Sequence, residues 1–447
     1  MFNRDILREL DDWALRPNRK PLVLRGARQV GKTTLVDIFS KKFNTYIYLN
    51  LEKAEERSIF ESDNSFSFKL DAIFFFKKKQ KTESNILIFI DEIQNSPAAI
   101  ALLRYFYEEA PHIHVIAAGS LLETLVDRHI SFPVGRVEYL AVRPCSFNEF
   151  LNAADETLSL NLIKQWPFPE YAHHQVQKLF NTYTLIGGMP GVIARYLSNN
   201  DLVDLNTEFQ SLLAGYMDDV EKYAPRNSAV HHIRHILRTG FRYGGQRIKY
   251  ERFGESDYRS REMGEAFRIL EKAMLLELVY PTKSVRLPYL PDYKKSPRLQ
   301  WLDTGLLNYA AGIQFEVFGT KDINSVWKGL TAEHIAGQEL IANDYHVLCQ
   351  RIFWIREAKN SNAEVDYLYP YEGLLIPVEI KSDAGTTLKS LHLFMDAVNH
   401  HLAIRVWSKP FQVSEIRTPK GKTFKLVSIP FYLVSQLTKI INLNINE

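Results

Sequence analysis

The sequence predicts an α/β chain in three parts: a parallel sheet wrapped by helices, a helical middle segment with a short β tail, and a second α/β unit at the C-terminal end. Three observations predict this. Over residues 21–150 short apolar runs alternate with helical stretches, the pattern of strands buried on both faces of a parallel sheet. Residues 171–291 read mostly at helical period, broken sharply at Gly187-Gly188-Met189-Pro190-Gly191. From Trp301 onward, a helix is followed by strand, strand, strand, helix and strand. A chain of 447 residues is also too long for one hydrophobic core. The patterns divide it into 1–155, 170–295 and 296–447.

The opening MFNRDILRELDDWALRPNRK alternates charged and apolar residues and lacks the apolar core of a signal peptide, so it reads as an amphipathic helix feeding the first strand. The strands of the first unit are Leu22-Val23-Leu24, Tyr46-Ile47-Tyr48-Leu49, Ile86-Leu87-Ile88-Phe89-Ile90 and His114-Val115-Ile116-Ala117-Ala118. Trp166-Pro167-Phe168-Pro169-Glu170 cannot easily continue a helix and marks a boundary. In the middle segment, helices at 229–239, around Arg252 and at 261–275, with a β tail at 276–281, resemble a winged helix-turn-helix.

Apolar residues make up 46% and charged residues 24%, an ordinary globular balance. The two cysteines, Cys145 and Cys349, lie far apart without CxxC spacing. They supply neither a disulfide framework nor a zinc site, which suits a reducing cytoplasm. No apolar run approaches the roughly 20 residues needed to span a bilayer, so no membrane partner is expected. The net charge of +3 argues against a general polyanion-binding coat and leaves room for local basic surfaces, such as the arginines scattered over residues 234–268.

Gly26-Ala27-Arg28-Gln29-Val30-Gly31-Lys32-Thr33, between an apolar strand and a helix, is a P-loop of the Walker A kind. A triphosphate can be gripped only where backbone N–H groups converge without Cβ obstruction, the freedom that Gly26 and Gly31 provide. The helix that begins at Lys32 directs its positive end at the phosphates. Lys32 adds a mobile cation, Thr33 a hydroxyl for Mg²⁺, and Thr34 the next backbone amide. Residues 86–90 then run into Asp91-Glu92, the Walker B arrangement. Asp91 is expected to hold Mg²⁺ and Glu92 to act as general base on the attacking water. Ser120, at the end of the next strand, is placed as a sensor of the γ-phosphate. Arg136, on the loop Phe132-Pro133-Val134-Gly135-Arg136, is the candidate cation for charge developing in the transition state, from the same chain or from a neighbouring subunit of an oligomer.

GARQVGKTTL, ILIFIDEIQ, AAGSLLE, VGRVEYLAVRPCSFNEF, LIGGMPGV, LQWLDTGLL, GLTAEHIAGQEL, AEVDYLY and IPVEIKS, in that order, span nearly the whole chain. Together they resemble the bacterial and archaeal AAA-type ATPases of the archaeal-ATPase clade. The resemblance implies ATP and Mg²⁺ as cofactors, a winged-helix lid in which residues 187–190 replace the usual second sensor, and a nuclease-like C-terminal domain of unknown function. One departure is Cys145 in Arg143-Pro144-Cys145-Ser146-Phe147, where such sequences more often carry Leu-Ser-Phe after the proline.

In the C-terminal unit, Asp366 and the pair Glu379 and Lys381 sit on two apolar strands joined by Tyr371-Glu372-Gly373. Alternation puts Glu379 and Lys381 on one face, and a hairpin brings Asp366 beside Glu379. With Glu333 on the preceding helix this is a PD-(D/E)xK constellation: carboxylates for Mg²⁺ and a catalytic lysine for the attacking water. The reading that follows is an ATP-driven switch or motor acting on DNA or RNA. The alternative is a regulatory ATPase whose C-terminal domain binds a protein partner without cleavage.

Overall fold

The computed structural model describes residues 2–81, 84–119, 133–224, 227–313, 331–357, 362–381 and 388–445. The first unit is built on strands β1 (Leu22–Arg25), β2 (Thr45–Asn50), β3 (Ile86–Asp91), β4 (His114–Gly119) and β5 (Glu138–Ala141). They form one sheet in the order β2-β3-β4-β1-β5, with every pairing parallel. All of β3 is buried, which is why it reads as an unbroken apolar run. Leu87 and Phe89 pack on one face with Trp13 and Phe39 from the helices Leu7–Leu15 and Lys32–Ser40. Ile88 and Ile90 pack on the other face with Phe74 and Phe106 from the helices Phe66–Phe76 and Pro97–Glu109.

The middle segment contains the helices His173–Ile186, Pro190–Asn199, Leu205–Asp218, Asn227–Thr239 and Ser260–Lys272. The break between the first two ends at Pro190, the opening residue of the second, where a missing N–H costs nothing. Around Arg252 the expected short helix is a 3-10 turn, Phe253–Glu255, with Gly254 at φ 63°. The β tail consists of β6 (Leu276–Thr282), antiparallel to β7 (Arg298–Trp301). Along its other edge β6 pairs with β8 (Ile352–Arg356), so the strands on either side of residue 295 lie in one sheet. The burial of β6 along most of its length explains this, because a strand covered on both faces needs a partner for its backbone polar groups on each side.

That sheet continues with β9 (Ala363–Tyr371), β10 (Leu374–Ile380), β11 (Leu402–Trp407), β12 (Gln412–Arg417) and β13 (Thr423–Pro430), in the order β12-β13-β11-β10-β9-β8-β6-β7. The last hairpin, β12 and β13, was not anticipated by the alternation pattern; β13 runs parallel to β11 and carries β12 to the edge. The helix Thr331–Ala342 lies against one face, and Lys389–Met395 covers the other with Leu391, Phe394 and Met395. Among the described residues no helix is long and apolar enough to cross a membrane.

Candidate functional site

The P-loop leaves the carboxyl end of β1, in the crevice where open parallel sheets hold their ligands. Gly31 takes φ 91° as the residue before the helix Lys32–Ser40, and no side chain caps that helix. Its first N–H groups have no intrahelical acceptor and form an anion-binding end. A Cβ on Gly26 would lie 2.3 Å from the Val142 carbonyl oxygen, so the loop passes β5's continuation at backbone distance and only glycine fits. Ala27 and Val30 point inward, whereas Arg28, Gln29 and Thr34 are exposed.

Lys32 is buried, and its Nζ donates to the Gly26 and Ala27 carbonyls at 2.9 and 2.8 Å. Burial lowers its pKa to about 8, opposed by the nearby Glu92 and Asp91. Thr33 Oγ1 donates to Asp91 Oδ2 at 2.8 Å, and Tyr48 donates to the same oxygen at 3.3 Å. Burial raises both Asp91 and Glu92 above the usual carboxylate range. Glu92 stands at φ 51° just past β3 and accepts a hydrogen bond from Gln94 Nε2. The Thr33 hydroxyl beside the Asp91 carboxylate is the oxygen pair that a hard cation such as Mg²⁺ takes, so this site fits the ion.

The structure brings residues 26–34, Asp91 and Glu92 to the carboxyl end of the parallel strands and does not bring Arg136 there. In the parallel register Leu22 faces Glu138 and Arg25 faces Ala141, so Arg136 precedes β5 at the opposite end of the strands from the P-loop. At about 3.3 Å per residue it stands roughly 17 Å below the carboxyl end of β1 along the strand direction. There Nε pairs with Glu108 at 2.8 Å. A cis role for Arg136 is thereby corrected: the strand direction, which the sequence motif does not carry, puts the loop at the wrong end. Ser120 lies outside the described residues.

Several residues missed by motif reading hold the loop. Arg4, almost wholly buried, donates to the Val30 and Arg143 carbonyls and pairs with Glu149 at 2.9 Å. Arg28 pairs with Asp219, just past the helix Leu205–Asp218, and Tyr216 of that helix donates to the Arg28 carbonyl at 3.2 Å. Pro190 is close enough that a Cβ on Gly31 would meet its Cγ at 3.4 Å. Cys145 donates its backbone N–H to the Gly188 carbonyl at 2.7 Å, and the Gly188 N–H donates in turn to Asp303 Oδ2 at 2.5 Å. Asp303 also accepts from Leu306 N at 2.9 Å as the cap of the helix Thr304–Ala310. Glu339 accepts from Phe147 N and from the Tyr183 hydroxyl, the latter at 2.7 Å. Burial lifts Asp303 to about 6 and Glu339 to about 7. A signal for Asp303 and Glu339 was present in LQWLDTGLL and GLTAEHIAGQEL, but nothing in either motif says what its carboxylate touches.

In the C-terminal sheet, β9 and β10 pair antiparallel with Val378 opposite Tyr367, which sets Glu379 opposite Asp366 as the hairpin predicts. Asp366 Oδ2 accepts from Ile380 N at 2.7 Å, and Lys381 Nζ pairs with Glu379 Oε1 at 2.6 Å. Glu333 joins them through Arg298, whose buried guanidinium pairs with Glu333 at 3.0 Å and approaches Asp366 Oδ1 to 3.7 Å. Burial raises Glu333 and Glu379 above the usual carboxylate range, opposed by Arg298 and Lys381. The expected residues converge, but among the described residues no group of His, Cys, Asp and Glu is arranged to hold a metal ion. The Mg²⁺ expected at Glu333, Asp366 and Glu379 does not fit: an arginine that sequence reading passed over stands between the carboxylates.

Residues 18–151 match the model of an AAA domain. Residues 177–316 match a domain of unknown function (DUF8612), and residues 328–432 another (DUF4143). No curated protein matches the chain. Among solved structures, the Walker-type ATPase PABY2304 of Pyrococcus abyssi is similar at 17% identity and a TM-score of 0.44, over 69% of this chain and 96% of that one. Residues 18–151 are thus assigned to an AAA domain.

Proposed function

We propose that the chain is an ATP-hydrolysing switch whose nucleotide state is passed through residues 187–190 to the C-terminal α/β domain, which acts by binding a partner. In this reading the amides of residues 26–34 and Lys32 hold the triphosphate, and Thr33 with Asp91 hold Mg²⁺. The metal would neutralise phosphate charge when bound. Glu92, held by Gln94 and made more basic by burial, takes the proton of the attacking water. The single observation that carries the coupling is the run of hydrogen bonds from Cys145 N to the Gly188 carbonyl and from Gly188 N to the Asp303 carboxylate, with Pro190 against Gly31. It joins the phosphate-binding loop to the stretch that leads into the C-terminal domain.

A second reading, action on DNA or RNA, keeps one supporting feature: Arg238, Arg242, Arg252, Arg261 and Arg268 are exposed in the middle segment. Arg234 and Arg247 are engaged by Glu221 and Glu364, so the basic face is narrower than the sequence count implies. Hydrogen exchange on Glu92→Gln tests the switch. ATP with Mg²⁺ should change protection at residues 187–190 and 303–310 as well as at the P-loop; a change confined to the P-loop contradicts the coupling. Affinity capture with the same variant separates the two readings, because nucleic acid co-purifies only in the second.

A further inference from the structure

The carboxylates of the C-terminal unit, Glu333, Glu364, Asp366 and Glu379, gather around β9 and β10. Their charge is met from within the chain. Arg298, only 2% exposed, sits on β7 and donates to the Asp366 carbonyl at 2.9 Å while pairing with Glu333 and Glu364. Its guanidinium also stacks 4.8 Å from the Phe353 ring centroid. Arg247 adds a second contact to Glu364 at 3.4 Å, and Lys381 holds Glu379.

We infer that Arg298 is a built-in cation standing where a divalent metal would otherwise bind, so that the C-terminal domain keeps a nuclease-like carboxylate set without cutting phosphodiesters. Mg²⁺ requires near-octahedral oxygen ligands at about 2.1 Å. Here the donors of Arg298, Ile380 N and Lys381 occupy oxygens on Glu333, Asp366 and Glu379. Glu379 Oε2 is a buried carboxylate oxygen with no hydrogen-bond partner among the described residues, but the Arg298 guanidinium lies between Glu333 and Asp366, so an ion bridging those carboxylates would have to sit against a fixed positive charge. Expelling Arg298 would strand a buried guanidinium, a worse outcome than leaving the ion in water. Arg298 therefore acts as a positioning residue: it draws the helix Thr331–Ala342 and β9 together through charge. This inference does not depend on the ATPase reading.

The test is Mn²⁺ binding without nucleotide, followed by calorimetry and thermal unfolding, on wild type, Asp366→Asn and Arg298→Ala. Wild type and Asp366→Asn should bind Mn²⁺ identically, and neither should cleave supercoiled DNA in Mg²⁺ or Mn²⁺. Arg298→Ala opens a space lined by uncompensated carboxylates and should melt lower than wild type. It should also gain a Mn²⁺ site seen as a saturable recovery of the melting temperature. Saturable Mn²⁺ binding in wild type that Asp366→Asn removes, or DNA cleavage with the same dependence, overturns the inference. If Arg298→Ala does not fold, the comparison of wild type with Asp366→Asn still decides.

Discussion

Lys32 is satisfied by two carbonyls of its own loop, so a triphosphate must draw it out of hydrogen bonds it already has. Because burial sets its pKa at about 8, the free protein loses the ammonium as pH rises through that value. ATP affinity should therefore fall by about tenfold per pH unit above it, with little change below, as measured by calorimetric titration. A flat profile between pH 7 and 9.5 contradicts the assignment of Lys32 to the phosphates. Glu92→Gln should keep ATP affinity and slow hydrolysis by about 100-fold or more, since the amide cannot take the proton. Unchanged turnover in that variant moves the general base elsewhere. The residues of this site were legible because their chemistry demands a fixed local order: glycine, lysine and threonine in a turn, acids at a strand end. A cis role for Arg136 could not be judged from the motif, because it depends on which end of β5 the residue precedes, a property of topology and not of local sequence.

At the scale of elements, the joint between the AAA domain and the rest relies on close backbone approaches. A Cβ on Gly188 would lie 2.3 Å from the Cys145 carbonyl oxygen and one on Gly305 2.1 Å from that of Ile186, so neither contact has room to give. Gly188→Ala should cost about 1–3 kcal/mol in chemical denaturation. Asp303→Ala removes a helix cap and the acceptor of Gly188 N, at about 2 kcal/mol. It should also reduce the ATP-dependent exchange change at residues 303–310, while ATP affinity is less affected; an Asp303→Ala protein with wild-type stability removes Asp303 from the joint. The break at residues 187–190 was readable from glycine and proline alone, but its contact with Asp303, more than a hundred residues later, was not.

Across the whole molecule, one apolar core runs from Trp13 through Phe147 and Tyr183 to Tyr432 and Ile441, and buried acids lie along it. Glu339 rises from 4.5 to about 7 and Asp303 from 3.8 to about 6, so the folded chain holds protons there that the unfolded chain has released. Stability from these groups is full below the ordinary carboxylate range and is lost as pH climbs toward 7. Glu339→Gln should flatten that decline in the melting temperature between pH 5 and 7.5; an unchanged slope shows that Glu339 does not carry it. The parallel sheet of the AAA domain follows from alternating strands and helices, whereas its strand order and the edge strand β5 do not. The junction of β6 with β8 does not, because a two-stranded tail and a sheet edge share one local pattern.

The direct measurement of the central claim is ATP binding, with Mg²⁺, by wild type and Lys32→Ala at neutral pH. The account predicts saturable binding by wild type and affinity lower by about 100-fold in the variant, a loss of roughly 2.7 kcal/mol. Equal affinity in the two proteins, or none in wild type, contradicts it.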